Sequence, residues 1–185
     1  MEHAISNLQG QCDGIQLIQA AYHVRSLSLY AKLEFDACEM LSTMQGPAIN
    51  LHLPGYTVRS AMEADLEACN LVCSKVHGYN RGTELQDAIL QGSATVVERD
   101  GNITGYSTAM AFFGHSVGES NDDLKALIGA ASEFQGPGIL IPTRNGELLR
   151  WCMDNGLTNA MQLTLMSYVG DTEPQGPFKQ AILCG

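Results

Sequence analysis

The chain has 185 residues and a formal net charge of −10, from 20 acidic against 10 basic side chains. Apolar residues make up 45% and charged residues 16%, the balance of a globular chain long enough to bury a core. That balance excludes nucleic acid and anionic membrane as main partners, because both need clustered Lys and Arg and the few present form no run.

Residues 56–105 are the most clearly punctuated. Tyr56-Thr57-Val58-Arg59 reads as a strand. Ser60-Ala61-Met62-Glu63 has the spacing of a capping box, and the helix after it is expected to bury Leu66, Cys69, Cys73 and Val76 and to stop at Gly78. Thr83-Glu84-Leu85-Gln86 has the same box spacing and opens a helix ending at Gly92. Ala94 to Glu98 is a strand, Arg99-Asp100-Gly101-Asn102 a tight turn, and Ile103 to Phe113 a long returning strand. From Asp122 a helix presents Leu124, Leu127, Ile128 and Ala131. Gly136-Pro137-Gly138 breaks the chain, and Ile139-Leu140-Ile141 is a short buried strand stopped by Pro142. Asn145 to Asn155 is a helix with Leu148, Leu149 and Cys152 inward and Gly156 as its stop. Gln162 to Val169 and Ala181-Ile182-Leu183 are strands.

The beginning of the chain becomes readable through an internal repeat. A shift of 122 positions lays Ala4 on Ala126, Gly14 on Gly136, Leu17 on Ile139 and Ile18 on Leu140. The same shift lays Phe35 on Leu157, Leu41 on Leu163 and Met44 on Met166, with no gap across 45 positions. Residues 1–55 therefore read as the second half of a unit whose complete copy is 56–185, and the counterpart of 56–122, 67 residues, would lie upstream. Two short strand–helix–strand segments can also look alike by chance.

Val58-Arg59-Ser60-Ala61-Met62-Glu63-Ala64-Asp65-Leu66 resembles the first strand and helix of the GNAT superfamily of N-acetyltransferases, and Asp100-Gly101 followed by Ile103-Thr104-Gly105-Tyr106 is similar to its next two strands. Ser26-Leu27-Ser28-Leu29-Tyr30-Ala31-Lys32-Leu33-Glu34-Phe35 looks like the late helix of that family. The resemblance implies an α/β fold, a mixed and mostly antiparallel sheet flanked by helices, in a tandem protein whose first unit is N-terminally truncated. It implies acetyl-CoA in a splay between two central strands, its thioester arm near Tyr106 to Phe113 and its pyrophosphate on a helix start. Tyr30 corresponds to the tyrosine that protonates the leaving thiolate, and it also reads as a core or interface aromatic. Ser26 and His23 correspond to residues preceding it, and Asn145 to the helix-opening Asn of the complete unit, all three on the cofactor side. Cys152 stands where the complete unit would carry its Tyr, and Glu34 where Gly is usual. Before Leu124 the loop reads Gly118-Glu119-Ser120-Asn121-Asp122-Asp123, whose carboxylates are expected to repel a pyrophosphate.

Other patterns carry less. Gly114-His115-Ser116-Val117-Gly118 matches G-x-S-x-G, but a nucleophile elbow takes its His from later in the chain and none follows His115. Cys69, Cys73 and His77 share a helix face, yet positions eight apart lie about 12 Å from each other, too far for one ion, so no metal is expected. The cysteines Cys12, Cys38, Cys69, Cys73, Cys152 and Cys184 form no C-x-x-C, which suits reduced thiols in the cytoplasm. No apolar run approaches the ~18 residues of a membrane span, and Met1-Glu2-His3-Ala4 lacks the order of a signal peptide. Strand edges left by a missing half favour a homodimer. The reading is acetyl transfer from acetyl-CoA to a small-molecule amine, impaired in this chain. Its rival is a non-catalytic small-molecule-binding or assembly module built on the same fold.

Overall fold

The computed structural model describes residues 5, 14–79 and 81–168; the strand expected at Ala181–Leu183, with Cys12 and Cys184, lies outside them. Its elements run β1 (Ile15–Ala20), α1 (Val24–Lys32), β2 (Asp36–Gln45), β3 (Tyr56–Ser60), α2 (Leu66–His77), α3 (Gly82–Gln91), β4 (Thr95–Arg99), β5 (Asn102–Ser107), β6 (Ser116–Gly118), α4 (Asn121–Ala130), β7 (Ile139–Pro142), α5 (Gly146–Asp154) and β8 (Thr158–Tyr168). The strands form two four-stranded antiparallel sheets, ordered β3-β4-β5-β6 and β1-β8-β2-β7, flanked by helices.

The β4–β5 hairpin turns where Asp100 and Gly101 take φ of 53° and 76°, the left-handed pair a two-residue hairpin requires. The strand expected through Phe113 ends at Ser107. The Thr108 N–H turns to the His115 carbonyl at 2.8 Å, and the loop between them closes so tightly that a Cβ on Gly114 would lie 2.0 Å from the Ala109 oxygen. Neither expected capping box forms. Ser60 stays in β3, and Asp65 replaces Glu63 as the capping acid, accepting the Met62 N–H at 2.8 Å because Arg59 holds the carboxylate with a fork of 2.7 and 2.9 Å. Thr83 lies inside α3, whose N-cap Arg81 makes no side-chain cap. In α2 the buried stripe is Cys69, Val72, Cys73 and His77, and Val76 turns outward instead.

The sheet β1-β8-β2-β7 has an internal symmetry. Adding 122 to the bounds of α1 gives those of α5, and the same offset lays β1 and β2 on β7 and β8. The pairing obeys it. Asp36 faces Ser167 and Gln45 faces Thr158; Leu17 faces Met166 and Met44 faces Ile139; Leu41 faces its own equivalent Leu163. Even the irregularities match, the β2–β8 register skipping Cys38 on one strand and its counterpart Ala160 on the other. A pseudo-twofold axis thus passes between Leu41 and Leu163. The turns agree as well: Glu34 (φ 66°) and Gly156 (φ 93°) occupy equivalent left-handed positions.

Across the other sheet, His77 at the end of α2 and His115 before β6 are both almost wholly buried, with their Nε2 atoms 3.4 Å apart beside Tyr106. Burial, seconded by the charge of Arg81, pushes the pKa of both below the ordinary histidine range. Both are neutral at pH 7, while the unfolded chain binds protons below about pH 6.5. Their contribution to stability is therefore full above that pH and is lost as the pH falls toward 4. Denaturant titrations should show a marked loss of stability over that interval, and His77→Leu combined with His115→Leu should flatten it.

Candidate functional site

The two sheets diverge between β6 and β7, joined there by a single described bridge, Ala111 to Gln135. This splay is narrow. The cavity within it measures about 20 Å³ and is walled by Ser116, Leu124, Ile128, Ile139, Ile141 and Leu148. That is room for about one water, and the walls offer it almost no polar partner. Cys152, wholly buried in the same apolar cluster, has its thiol pushed up to about 12 by burial and stays protonated.

The start of α4, where an anion would dock, is occupied by the chain itself. The Asp123 carboxylate is fully buried and accepts the Ser120 N–H at 2.8 Å, the Ser120 hydroxyl at 2.6 Å and the Thr104 hydroxyl at 2.5 Å. Ser120 Oγ accepts the Asp123 N–H in return. The carboxylates expected to repel a ligand there are not bare: each has a partner. Glu119 pairs with Lys75 at 2.8 Å, and Asp122 with Lys125 at 2.9 Å. What fills the anion position is the helix's own cap.

Asn145 is drawn into the same network. Its Oδ1 caps the Leu148 N–H at 3.3 Å, and its amide donates to Asn121 Oδ1 at 2.8 Å. Lys125 and Asn121 both reach Glu147, at 2.7 and 2.9 Å, so the starts of α4 and α5 are clasped together.

The pseudo-twofold carries this wall onto β1 and α1, where the side chains differ in kind. His23 takes the place of Asn145 but makes no cap; Arg25 replaces Glu147, Ser26 replaces Leu148 and Tyr30 replaces Cys152. His23, Ser26 and Tyr30, three and four residues apart, lie along one side of α1. His23 is exposed with Tyr22 against it at 4.5 Å, Ser26 and Tyr30 are half-buried, and the Tyr30 ring meets Phe35 edge-on at 6.1 Å. The structure thus brings these three together and places Asn145 at the symmetry-related helix start, not beside them.

One residue of this wall escaped the sequence reading. Gln19, on β1 at the position equivalent to Ile141, is 6% exposed, and neither atom of its amide has a hydrogen-bond partner among the described residues. The 122-residue offset that set Leu17 on Ile139 also sets this Gln on an Ile, and that mismatch was the available signal.

The G-x-S-x-G pattern has no elbow. Ser116 is buried in β6 and donates to Ser107 Oγ at 2.8 Å, while His115 faces His77. Among the described residues no group of three or more His, Cys, Asp or Glu could hold a metal ion, and no helix is long and apolar enough to cross a membrane. A wider surface groove of about 420 Å³ runs past Cys38, Met40, Thr143 and Thr164, with Glu39 and Arg144 already paired at 2.6 Å.

No family model and no curated protein matches the chain. Solved structures do. A protein described as an acetyltransferase from Pyrococcus horikoshii superposes with a TM-score of 0.72 at 14% identity, over 99% of this chain and 63% of that one. The GCN5-related N-acetyltransferase from Sphaerobacter thermophilus gives 0.55 at 14% identity, over 90% and 64%. The GCN5-related N-acetyltransferase from Kribbella flavida gives 0.53 at 14% identity, over 95% and 74%. The chain therefore spans less than two thirds of the first two. The likeness shows the fold, which is that of the GNAT acyltransferases.

Removing the buried cap tests the closed helix start. Asp123→Ala strands the Thr104 and Ser120 donors and should cost roughly 3 kcal/mol in equilibrium unfolding, against about 1 kcal/mol for Asn145→Ala.

Proposed function

We propose that the chain is part of a tandem acetyltransferase-fold protein, with residues 1–55 the later half of one GNAT-like unit and 56–185 a second unit. Acetyl transfer from acetyl-CoA to a small-molecule amine is carried by the first of these, and the second is its non-catalytic support. The supporting observation is the contrast across the pseudo-twofold: His23, Ser26 and Tyr30 stand where the other helix has the capping Asn145 and the buried apolar Leu148 and Cys152.

In this reading the phenol of Tyr30 gives its proton to the departing thiolate, and His23 and Ser26 line the cofactor beside it. Asn145 has no such role, being committed to its cap. Arg25, where the second unit has Glu147, leaves the start of α1 free of the acid that crowds the start of α5. A non-catalytic module is the second reading, favoured by the narrow splay and the self-capped α4.

An amide NMR titration with acetyl-CoA separates the two. Shifts should concentrate in residues 15–32 and spare 116–152. Shifts confined to the latter, or none at millimolar ligand, would overturn the acetyl-transfer reading and leave the module. Where turnover is measurable, Tyr30→Phe should lower kcat by roughly 100-fold with little change in KM, and Cys152→Ser should leave both unchanged.

A further inference from the structure

His115, inside the G-x-S-x-G pattern, meets His77 at the end of α2, Nε2 to Nε2 at 3.4 Å. Their ring centres are 5.4 Å apart, so the two imidazoles stand nearly end to end. The two residues are 1% and 3% exposed, and neither Nδ1 has a hydrogen-bond partner among the described residues. Tyr79 stacks on His77 at 5.8 Å, and Tyr106 lies beside His115 at 5.6 Å with Cys73 and Cys69 behind it. Burial pushes both phenols and both thiols up, so all four stay protonated and neutral from pH 7 downward. The full charge that reaches the pair is that of Arg81, itself bound to Glu84 at 2.7 Å.

Such a contact holds only while both rings are neutral. One Nε2–H donates to the bare Nε2 of the other ring; the donor's Nδ1 is then bare, and the acceptor's Nδ1 carries its proton. An added proton has two places to go. On the bare Nδ1 it creates a buried charge that no described group accepts. On the accepting Nε2 it sets two N–H groups head to head and breaks the contact. Burial, with Arg81 acting the same way, already keeps His77 neutral down to about 4 and His115 down to about 3.

His115 also closes the loop that ties the two sheets together. Its N–H donates to Thr108 Oγ1 at 2.9 Å, and its carbonyl accepts the Thr108 N–H at 2.8 Å. Inside that closure the Met110 carbonyl accepts the Gln135 N–H at 2.9 Å, and the Phe112 N–H donates to the Gln135 carbonyl at 3.3 Å. Met110 and Ser116, on either side of the loop tip, both line the cavity of the splay. Phe113 at the tip is 92% exposed and adds little burial to hold the loop down. The geometry points to an acid-released latch: the end-to-end contact of His77 and His115 holds residues 108–115 closed while both rings are neutral, and a proton on either ring frees the loop and the junction of the two sheets. The release is local, because β2 and β8, which carry the longest pairing, contain no histidine.

Amide hydrogen exchange of the whole chain, read by NMR with small additions of urea, tests the latch. Between pH 7 and pH 4.5, corrected for intrinsic exchange, protection at Thr108, Phe112, His115 and Gln135 should fall about 50-fold for one proton taken up per opening. That opening should be indifferent to urea, since it exposes little surface, while the amides of β2 and β8 stay better protected and respond to urea. The imidazole nitrogen shifts should show both rings neutral wherever the loop is closed. The double variant His77→Gln, His115→Gln keeps donors and acceptors but takes up no proton, and it should abolish the fall at the loop. Loop protection that does not change with pH would overturn the latch. So would loop and β2–β8 amides that share one protection and one urea dependence, which is global unfolding. A ring protonated at pH 5 under a protected loop, or an unchanged fall in the double variant, would overturn it as well. Should the variant not fold, the exchange and nitrogen shifts of the parent chain decide alone.

Discussion

The structure depends on a reciprocal exchange of strands. β1 does not lie beside β2, the next strand of its own half, but beside β8; β7 does not lie beside β8 but beside β2. Each strand–helix–strand segment thus lends its last strand to the other, and neither can complete a sheet alone. The long central pairing of β2 with β8 carries the pseudo-twofold axis, and the apolar cluster of Leu41, Leu140, Leu163 and Leu165 lies around it. Close backbone approach holds the exchange in register. A Cβ on Gly138 would fall 2.1 Å from the Met44 oxygen, so the turn into β7 admits nothing larger against β2.

On this symmetric frame the side chains have diverged in opposite directions. One helix-bearing wall is apolar, and the Asn121–Asn145–Glu147–Lys125 network joins the starts of its two helices. The other bears an amide, a hydroxyl, an imidazole and a phenol. Identical backbone geometry therefore yields a packed core on one side of the axis and a polar face on the other. Buried polar groups are expensive unless paired, and that asymmetry is the reason to look for a ligand on the polar side only.

Much of the fold was legible. Left-handed glycines at Gly78, Gly92 and Gly156 end their helices, Asp100-Gly101 makes its hairpin, and the 122-residue offset survives down to the bulges. What local sequence could not show was set by distant partners. Asp65, not Glu63, caps the turn before α2 because Arg59, itself paired with Glu98 on the neighbouring strand, holds its carboxylate. β5 stops at Ser107 because the loop to His115 closes on itself. The exchange of strand neighbours leaves no mark in periodicity at all. Of the candidate site, Tyr30, Ser26 and His23 were singled out through resemblance to a helix motif. Asn145 was singled out with them, and the structure places it in the cap of α5, a local role that a helix-opening Asn does not announce in sequence. Gln19 was missed because it sits in a strand whose other inward positions are apolar.

The same exchange dictates an order of events during synthesis. β1, α1 and β2 leave the ribosome before β3 to β8, but their hydrogen-bonding neighbours are β8 and β7, from 95 (Met44 to Ile139) to 153 (Ile15 to Tyr168) residues later. At bacterial and eukaryotic elongation rates that is a wait of roughly 6–20 s. The hairpin sheet of β3 to β6 pairs only near neighbours in sequence and has ample time to form in the interval. The newborn chain must therefore carry two unpaired strands past a finished domain before they find partners. In that window they are the part of the molecule most exposed to mispairing with another nascent chain, and most in need of a chaperone.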